Sequence, residues 1–177
     1  DGRKLLGNNS RTAVSVWDSV TGEPAGKPIA GNFSHARFSP DGQLVVTGGR
    51  GVTTPAFSPN DHIVKVWRIA DASLVAQLPQ EGGAGFARFS PDGRWIVTAA
   101  GDKTARIWDW QTGRELTPPL RHEGPIFWMD VSADSRRVLT LSKDQAARIW
   151  EADSGKELQT LSAHKAEVSA VAFSPDG

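Results

Sequence analysis

The sequence predicts an all-β fold assembled from repeated, four-stranded antiparallel units, and three observations carry that prediction. First, residues 89–109, FSPDGRWIVTAAGDKTARIWD, hold two strand-like runs separated by turn residues, and the rest of the chain is a looser copy of them. Residues 38–42 and 173–177 both read FSPDG, and 131–135 read VSADS. Second, the tryptophans that close the copies, Trp17, Trp67, Trp108 and Trp150, lie 50, 41 and 42 residues apart. A period of about 40–45 residues with a Trp-Asp ending marks propeller blades. Third, short apolar runs alternate with clusters of Gly, Pro, Asp and Asn, as in all-β chains, and no window sustains a 3.6-residue period.

Four blade equivalents follow, at about residues 1–30, 31–80, 81–121 and 122–163, with 164–177 opening a fifth. The first lacks its first strand: residues 4–7 are apolar, 8–11 turn, and 13–17 alternate into Asp18. Pro24 and Pro28 then suit an outer edge strand, where no ladder donor is needed. In the second unit Thr47 stands 20 residues before Trp67, whereas Thr98 and Thr140 each stand 10 before Trp108 and Trp150. The extra residues fall within 48–60, GGRGVTTPAFSPN, a breaker-rich segment that predicts a lengthened hairpin loop. The third unit repeats the spacing of the first, since TGRELTPPL at 112–120 matches TGEPAGKPI at 21–29. Residues 168–173 read as an extra first strand at the C-terminus. Trp95 aligns with Leu44 and Arg137, a tolerant position, and Trp110 reads as an exposed edge residue.

The Ser-Pro-Asp-Gly turn has a mechanical reading. Proline presets φ at the second position, Asp bonds its own backbone, and glycine accepts positive φ at no steric cost. Such a turn joins the first two strands of a blade. The Phe before it and Val45, Ile96 and Val138 after it are expected to pack between neighbouring blades, because one blade cannot bury both faces alone.

Composition excludes several classes. Lys+Arg and Asp+Glu both number 20, so there is no basic stripe for nucleic acid. Apolar residues at 38% and charged residues at 23% fit neither a disordered nor a membrane composition. No apolar run approaches a membrane span, and no signal-peptide pattern opens the chain. Cysteine is absent, which removes disulfides, thiolate zinc sites and cysteine nucleophiles. A cytoplasmic protein without membrane contact is the expectation. There is no G-x-S-x-G, H-E-x-x-H or P-loop. GGAG at 82–85 lacks the Lys-Ser/Thr of a phosphate cradle, and the Asp-rich turns lack the alternating ligands of a calcium loop. No enzyme, cofactor or metal site is expected.

Across essentially its whole length the chain resembles the WD-repeat β-propeller family. The Trp-Asp pair stands at Trp17-Asp18 and Trp108-Asp109 and has drifted to Trp67-Arg68 and Trp150-Glu151. The resemblance implies a hydrogen-bonded set in each blade: a His before the blade, a Ser/Thr on its second strand, an Asp in the next turn, and the Trp. In the fourth unit these are His122, Thr140, Asp144 and Trp150, a complete set. The third unit offers Thr98, Asp102 and Trp108, with Gln80 at the His position. The second offers Thr47, Asp61 and Trp67 and no His, while His164 fits the His position of the unit that follows. A His–Asp pair beside a Thr also matches the residue types of a catalytic triad, but a triad needs an exposed, activated nucleophile. The resemblance implies a structural role instead, in which Asp orients the imidazole, which bonds the hydroxyl, which bonds the indole N–H.

By the same resemblance the chain is a non-catalytic scaffold for other proteins or peptides. Docking is expected on the face shared by the loops between blades and those between second and third strands. Arg50, Phe57 and His62 of the insertion are candidate contacts there. A second candidate comes from aligning the innermost strands, which places His35, Phe86, Trp128 and Ala170 in one column. Arg37, Arg88, Asp130 and Ala172 share another. Such groups near a central channel suit a binding patch, since Trp and Arg are favoured anchors; they suit blade-to-blade packing as well. The alternative function is a regulatory or sensor propeller in a larger signalling enzyme such as a kinase, with the catalytic domain outside this chain.

Propellers have four to eight blades, and the resemblance implies about seven. Residues 168–173 could therefore pair with 4–7 in one chain, or between two self-associating chains to give eight blades. A stretch of a longer propeller is the favoured expectation, because repeat arrays need closed or capped ends.

Overall fold

The computed structural model describes residues 2–9, 13–31, 33–49, 63–80, 84–161 and 168–175. These form antiparallel sheets of consecutive strands. The first contains β1 (Lys4–Asn9), β2 (Ala13–Asp18) and β3 (Ile29–Ala30) in that order. The second runs β4 (His35–Phe38), β5 (Leu44–Gly48), β6 (Ile63–Arg68) and β7 (Leu74–Pro79). The third runs β8 (Ala84–Phe89), β9 (Ile96–Ala100) and β10 (Thr104–Asp109), edged by β11 (Arg114–Glu115) and β12 (Leu120–Arg121). The fourth runs β13 (Ile126–Val131), β14 (Arg137–Ser142), β15 (Ala147–Glu151) and β16 (Glu157–Leu161). This is a β-propeller arrangement: β4, β8 and β13 lie side by side at the inner edges.

The matched segments of the first and third units adopt one register. Trp17 bridges Pro24 and Val14 pairs Ile29; in the third sheet Trp108 pairs Glu115 and Ala105 pairs Leu120. The outer strand is thus interrupted at the prolines in both, where no N–H is available for the ladder.

The turns between first and second strands repeat atom for atom. Ser39 Oγ donates to Asp41 Oδ1 at 2.5 Å and accepts from the Leu44 amide at 2.9 Å, while the Gly42 amide bonds Ser39 O at 2.9 Å. Ser90, Asp92, Gly93 and Trp95 reproduce these bonds, as do Ser132, Asp134, Ser135 and Arg137. Position four demands positive φ, +65° at Gly42 and +74° at Gly93; in the fourth unit Ser135 adopts +60°.

Core forms between sheets. Val14, Val16 and Ile29 meet Phe33, Val45 and Trp67; Val46, Val64, Val66 and Leu78 meet Phe89, Ile96 and Trp108; Val97, Ala99, Ile107 and Leu120 meet Val131, Val138 and Trp150. Each closing Trp therefore faces the preceding sheet. Trp108 is 2% and Trp150 5% exposed, whereas Trp17, with no sheet before it among the described residues, is 37% exposed. Burying an indole of this size removes about 200 Å² from water, on the order of 5 kcal/mol at 25 cal/mol per Å².

Four expectations need correction. Trp95 does not hold a tolerant position: it is buried between the third and fourth sheets. Trp110 is half-buried, edge-on to Phe89 at 5.8 Å, with Nε1 donating to Gly93 O at 3.0 Å. The first hairpin continues past residue 7, since Asn8 and Asn9 pair with Val14 and Ala13. Residues 168–173 form no ladder, with β1 or with any other described strand. Alternation specifies which side chains point inward, but a ladder also needs a partner backbone alongside. Val168, Val171 and Phe173 pack instead on Leu139, Leu141 and Ala147 of the fourth sheet.

Candidate functional site

The fourth sheet brings its four polar residues into one chain of hydrogen bonds. Thr140 lies on β14, Trp150 on β15, Asp144 in the hairpin between them, and His122 just before β13. An indole N–H can only donate, so Trp150 Nε1 gives its proton to Thr140 Oγ1 at 2.8 Å. The Thr140 hydroxyl proton then goes to His122 Nε2 at 2.7 Å. This places the ring proton on Nδ1, which donates to Asp144 Oδ2 at 3.0 Å. Asp144 also accepts from Arg148 Nη1 at 2.7 Å and from the Glu123 and Ala146 amides at 3.0 Å each.

The electrostatics agree with that assignment. Burial lowers the His122 pKa, outweighing its bond to Asp144, so the ring is neutral. Burial opposes ionisation of Asp144, but the bonds from Arg148, the Ala146 amide and His122 hold it well below the usual carboxylate range. Thr140 is 0% exposed and its hydroxyl is committed at both ends.

The third sheet holds a variant. Trp108 Nε1 donates to Thr98 Oγ1 at 2.9 Å, and Thr98 donates to Gln80 Oε1. Gln80 Nε2 turns to Thr104 O at 3.4 Å, and Asp102 bonds the Thr104 amide and hydroxyl at 3.0 and 2.7 Å instead. In the second sheet Trp67 Nε1 donates to Thr47 Oγ1 at 2.9 Å. Asp61 lies outside the described residues, as do His164 and the insertion residues Arg50, Phe57 and His62.

Two arginines escaped the sequence reading. Arg148 and Arg106 each stand four residues after the turn Asp, and Arg106 approaches Asp102 at 3.5 Å and Glu115 at 2.6 Å. The signal was present in the repeated spacing Asp-x-x-x-Arg-Ile-Trp at 102–108 and 144–150.

The innermost-strand columns converge on one small cavity of about 60 Å³, lined by His35, Arg37, Phe86, Arg88, Trp128 and Met129. Its walls tie neighbouring blades together. His35 stacks edge-on to Phe86 at 5.4 Å, and its Nε2 donates to Ala87 O at 3.1 Å, since a carbonyl can only accept. Burial, then the nearby Arg37 charge, push the His35 pKa down to about 4, so this ring is neutral as well. Arg88 Nη1 pairs with Asp130 Oδ1 on the next sheet. Asp130 Oδ2 accepts from the Phe173 amide at 3.0 Å, and Trp128 Nε1 donates to Val171 O at 2.6 Å. Blade packing and an exposed rim coexist here, for Trp128 remains 36% exposed.

Comparison with known proteins agrees with this architecture. The family profile "WD domain, G-beta repeat" matches residues 29–68, 83–109 and 155–177, just over half of the chain. The chain belongs to the WD-repeat family. The profile passes over 110–154, whose turn reads VSADS and whose Trp150 precedes Glu, although that sheet carries the complete polar set. Guanine nucleotide-binding protein subunit beta-1 of Drosophila melanogaster is 28% identical over 135 residues, covering 68% of this chain and 36% of that protein. Protein groucho of the same fly is 29% identical over 117 residues, covering 66% of this chain and 15% of the relative. The chain thus spans about a third or less of these relatives. Among solved structures, the computationally designed Ika8 protein superposes with a TM-score of 0.79 at 22% identity, over 98% of this chain and 51% of that one.

Proposed function

We propose that this chain is a non-catalytic docking platform for proteins or peptides, working through the inner edge where β4, β8 and β13 lie side by side. One contrast carries the reading. The residues that resemble catalytic machinery are sealed, with Thr140 inaccessible and His122 neutral between fixed partners. The groups suited to recognition, Arg37, Arg88 and Trp128, are exposed or partly exposed together around one cavity. The relatives support a role in assemblies, since one of them is a subunit.

Self-association belongs to the same proposal. Leu5, at 58% exposure, and Trp17 present an uncovered face equivalent to the one that Ile96 and Trp108 bury against the second sheet. A second copy that covers it should shield Trp17 from iodide at high protein concentration and expose it on dilution, which sedimentation combined with iodide quenching reads directly.

The docking reading is tested by selecting peptides from a display library on the folded chain. Enriched sequences should bind the native protein, lose binding on unfolding, and protect the Trp128 indole. Absence of enrichment over the urea-unfolded chain would refute the reading.

A further inference from the structure

We propose that the cavity among the innermost strands captures the carboxylate of an acidic side chain presented by a partner peptide. Arg37 supplies the ion pair, and Phe86 and Trp128 lie against the methylenes. The inference rests on the docking-platform reading and names the partner's chemistry.

The charges around the cavity point to an anion. Arg88 is neutralised by Asp130. His35 carries no charge: its Nε2–H is engaged by Ala87 O and the ring is held neutral beside Arg37. Arg37 occupies the same column one blade earlier, is exposed, and makes no ion pair among the described residues. Its Nη1 reaches only Ala36 O, at a long 3.4 Å. One uncompensated guanidinium therefore faces a cavity otherwise lined by aromatic rings, a neutral imidazole, Met129 and a paired arginine.

Size and wall chemistry narrow the ligand. A cavity of about 60 Å³ is small, with room for a few waters or one carboxylate head. The planar guanidinium fork matches a carboxylate bidentately. The side-chain methylenes of glutamate reach Phe86 and Trp128 from the rim. The uncompensated Arg37 guanidinium repels a lysine- or arginine-bearing segment, so the site discriminates by charge as well as attracting.

The test follows the Trp128 indole N–H by ¹⁵N NMR in the whole 177-residue chain, assigned with Trp128→Phe. The probes are acetyl-Ala-Glu-Ala-amide and its Gln counterpart. The Glu peptide should shift the indole resonance saturably, and the Gln peptide at equal concentration should leave it in place. Arg37→Gln, a change at an exposed residue, should weaken Glu-peptide binding at least tenfold while the remaining spectrum keeps its dispersion. Added salt should weaken it too. Equal shifts from both peptides, no shift from either, or unchanged affinity in Arg37→Gln would overturn the inference. Display-selected peptides that bind without an acidic anchor would leave the docking platform standing and remove only the carboxylate site.

Discussion

Replacing Thr140 by Val removes one oxygen and strands two buried groups. The Trp150 indole N–H, held at 2.8 Å, loses its acceptor, and His122 Nε2, held at 2.7 Å, loses its donor. Each unpaired buried polar group costs about 1–3 kcal/mol, and no other partner for them is in place. Val is as good a strand former as Thr, so the backbone offers little offset. The expected loss is about 3 kcal/mol. Thr98→Val strands the Trp108 N–H, but Gln80 retains its bond to Thr104 O and should adjust, for about 2 kcal/mol. Thr47→Val strands only the indole of half-buried Trp67, within reach of water, for about 1 kcal/mol. Urea unfolding followed by far-UV circular dichroism measures the series, compared only where the m-values agree. Combining Thr140→Val with Trp150→Phe should recover about 1–2 kcal/mol of coupling in a double-mutant cycle. Equal losses at the three positions, or less than about 0.5 kcal/mol at Thr140, would refute the claim that the polar set is a graded structural clamp.

Three further outcomes are expected. Acid should destabilise the fold in two stages. His35 and His122 have folded pKa values below the ordinary 6.5, because burial disfavours the charged ring, so the unfolded chain binds more protons. Their contribution is therefore full above pH 6.5 and lost as pH falls, between 6.5 and about 4 for His35. At 1.36 kcal/mol per pH unit, reduced for screening at a half-buried ring, that is about 1–2 kcal/mol. Asp144, held low, adds a second loss below its ordinary 3.8; His35→Gln should shrink the first stage of the denaturation profile to the His122 part and leave the second unchanged. Lys103 and Gln145 adopt φ of +68° and +67° at exposed turn positions. Changing either to Gly should raise stability by about 0.5–1 kcal/mol, the relief of left-handed strain less glycine's entropy, which a urea midpoint resolves. Gly26→Ala should cost about 1–3 kcal/mol, because its Cβ would stand 2.1 Å from the backbone oxygen of Ile69, in the turn just after β6; an unchanged melting temperature would contradict that contact.

Much of the fold was legible because propeller blades repeat locally. The ten-residue interval from Thr98 to Trp108 and from Thr140 to Trp150 sets a hairpin in which each hydroxyl meets its indole. The turn chemistry at Ser39, Ser90 and Ser132 is likewise contained in six residues. Contacts between blades were harder to read. Arg88 and Asp130 fell in one alignment column, and pairing them requires knowing which way each innermost strand turns its side chains. Trp95 failed for the same reason, since an aligned Leu and Arg suggested tolerance while the third-to-fourth sheet gap is wide enough to bury an indole. Residues 168–173 show the remaining limit: alternation describes one strand, and pairing is a property of two.

The central claim is that the repeated polar sets hold the blades while recognition occurs at the innermost-strand cavity. The most direct test is a backbone and side-chain chemical-shift map of the chain titrated with a display-selected peptide. Shifts centred on His35, Arg37, Phe86 and Trp128, with His122, Thr140 and Asp144 unmoved, are the predicted result. A map centred on His122 and Thr140, or one that bypasses the cavity altogether, would contradict the account.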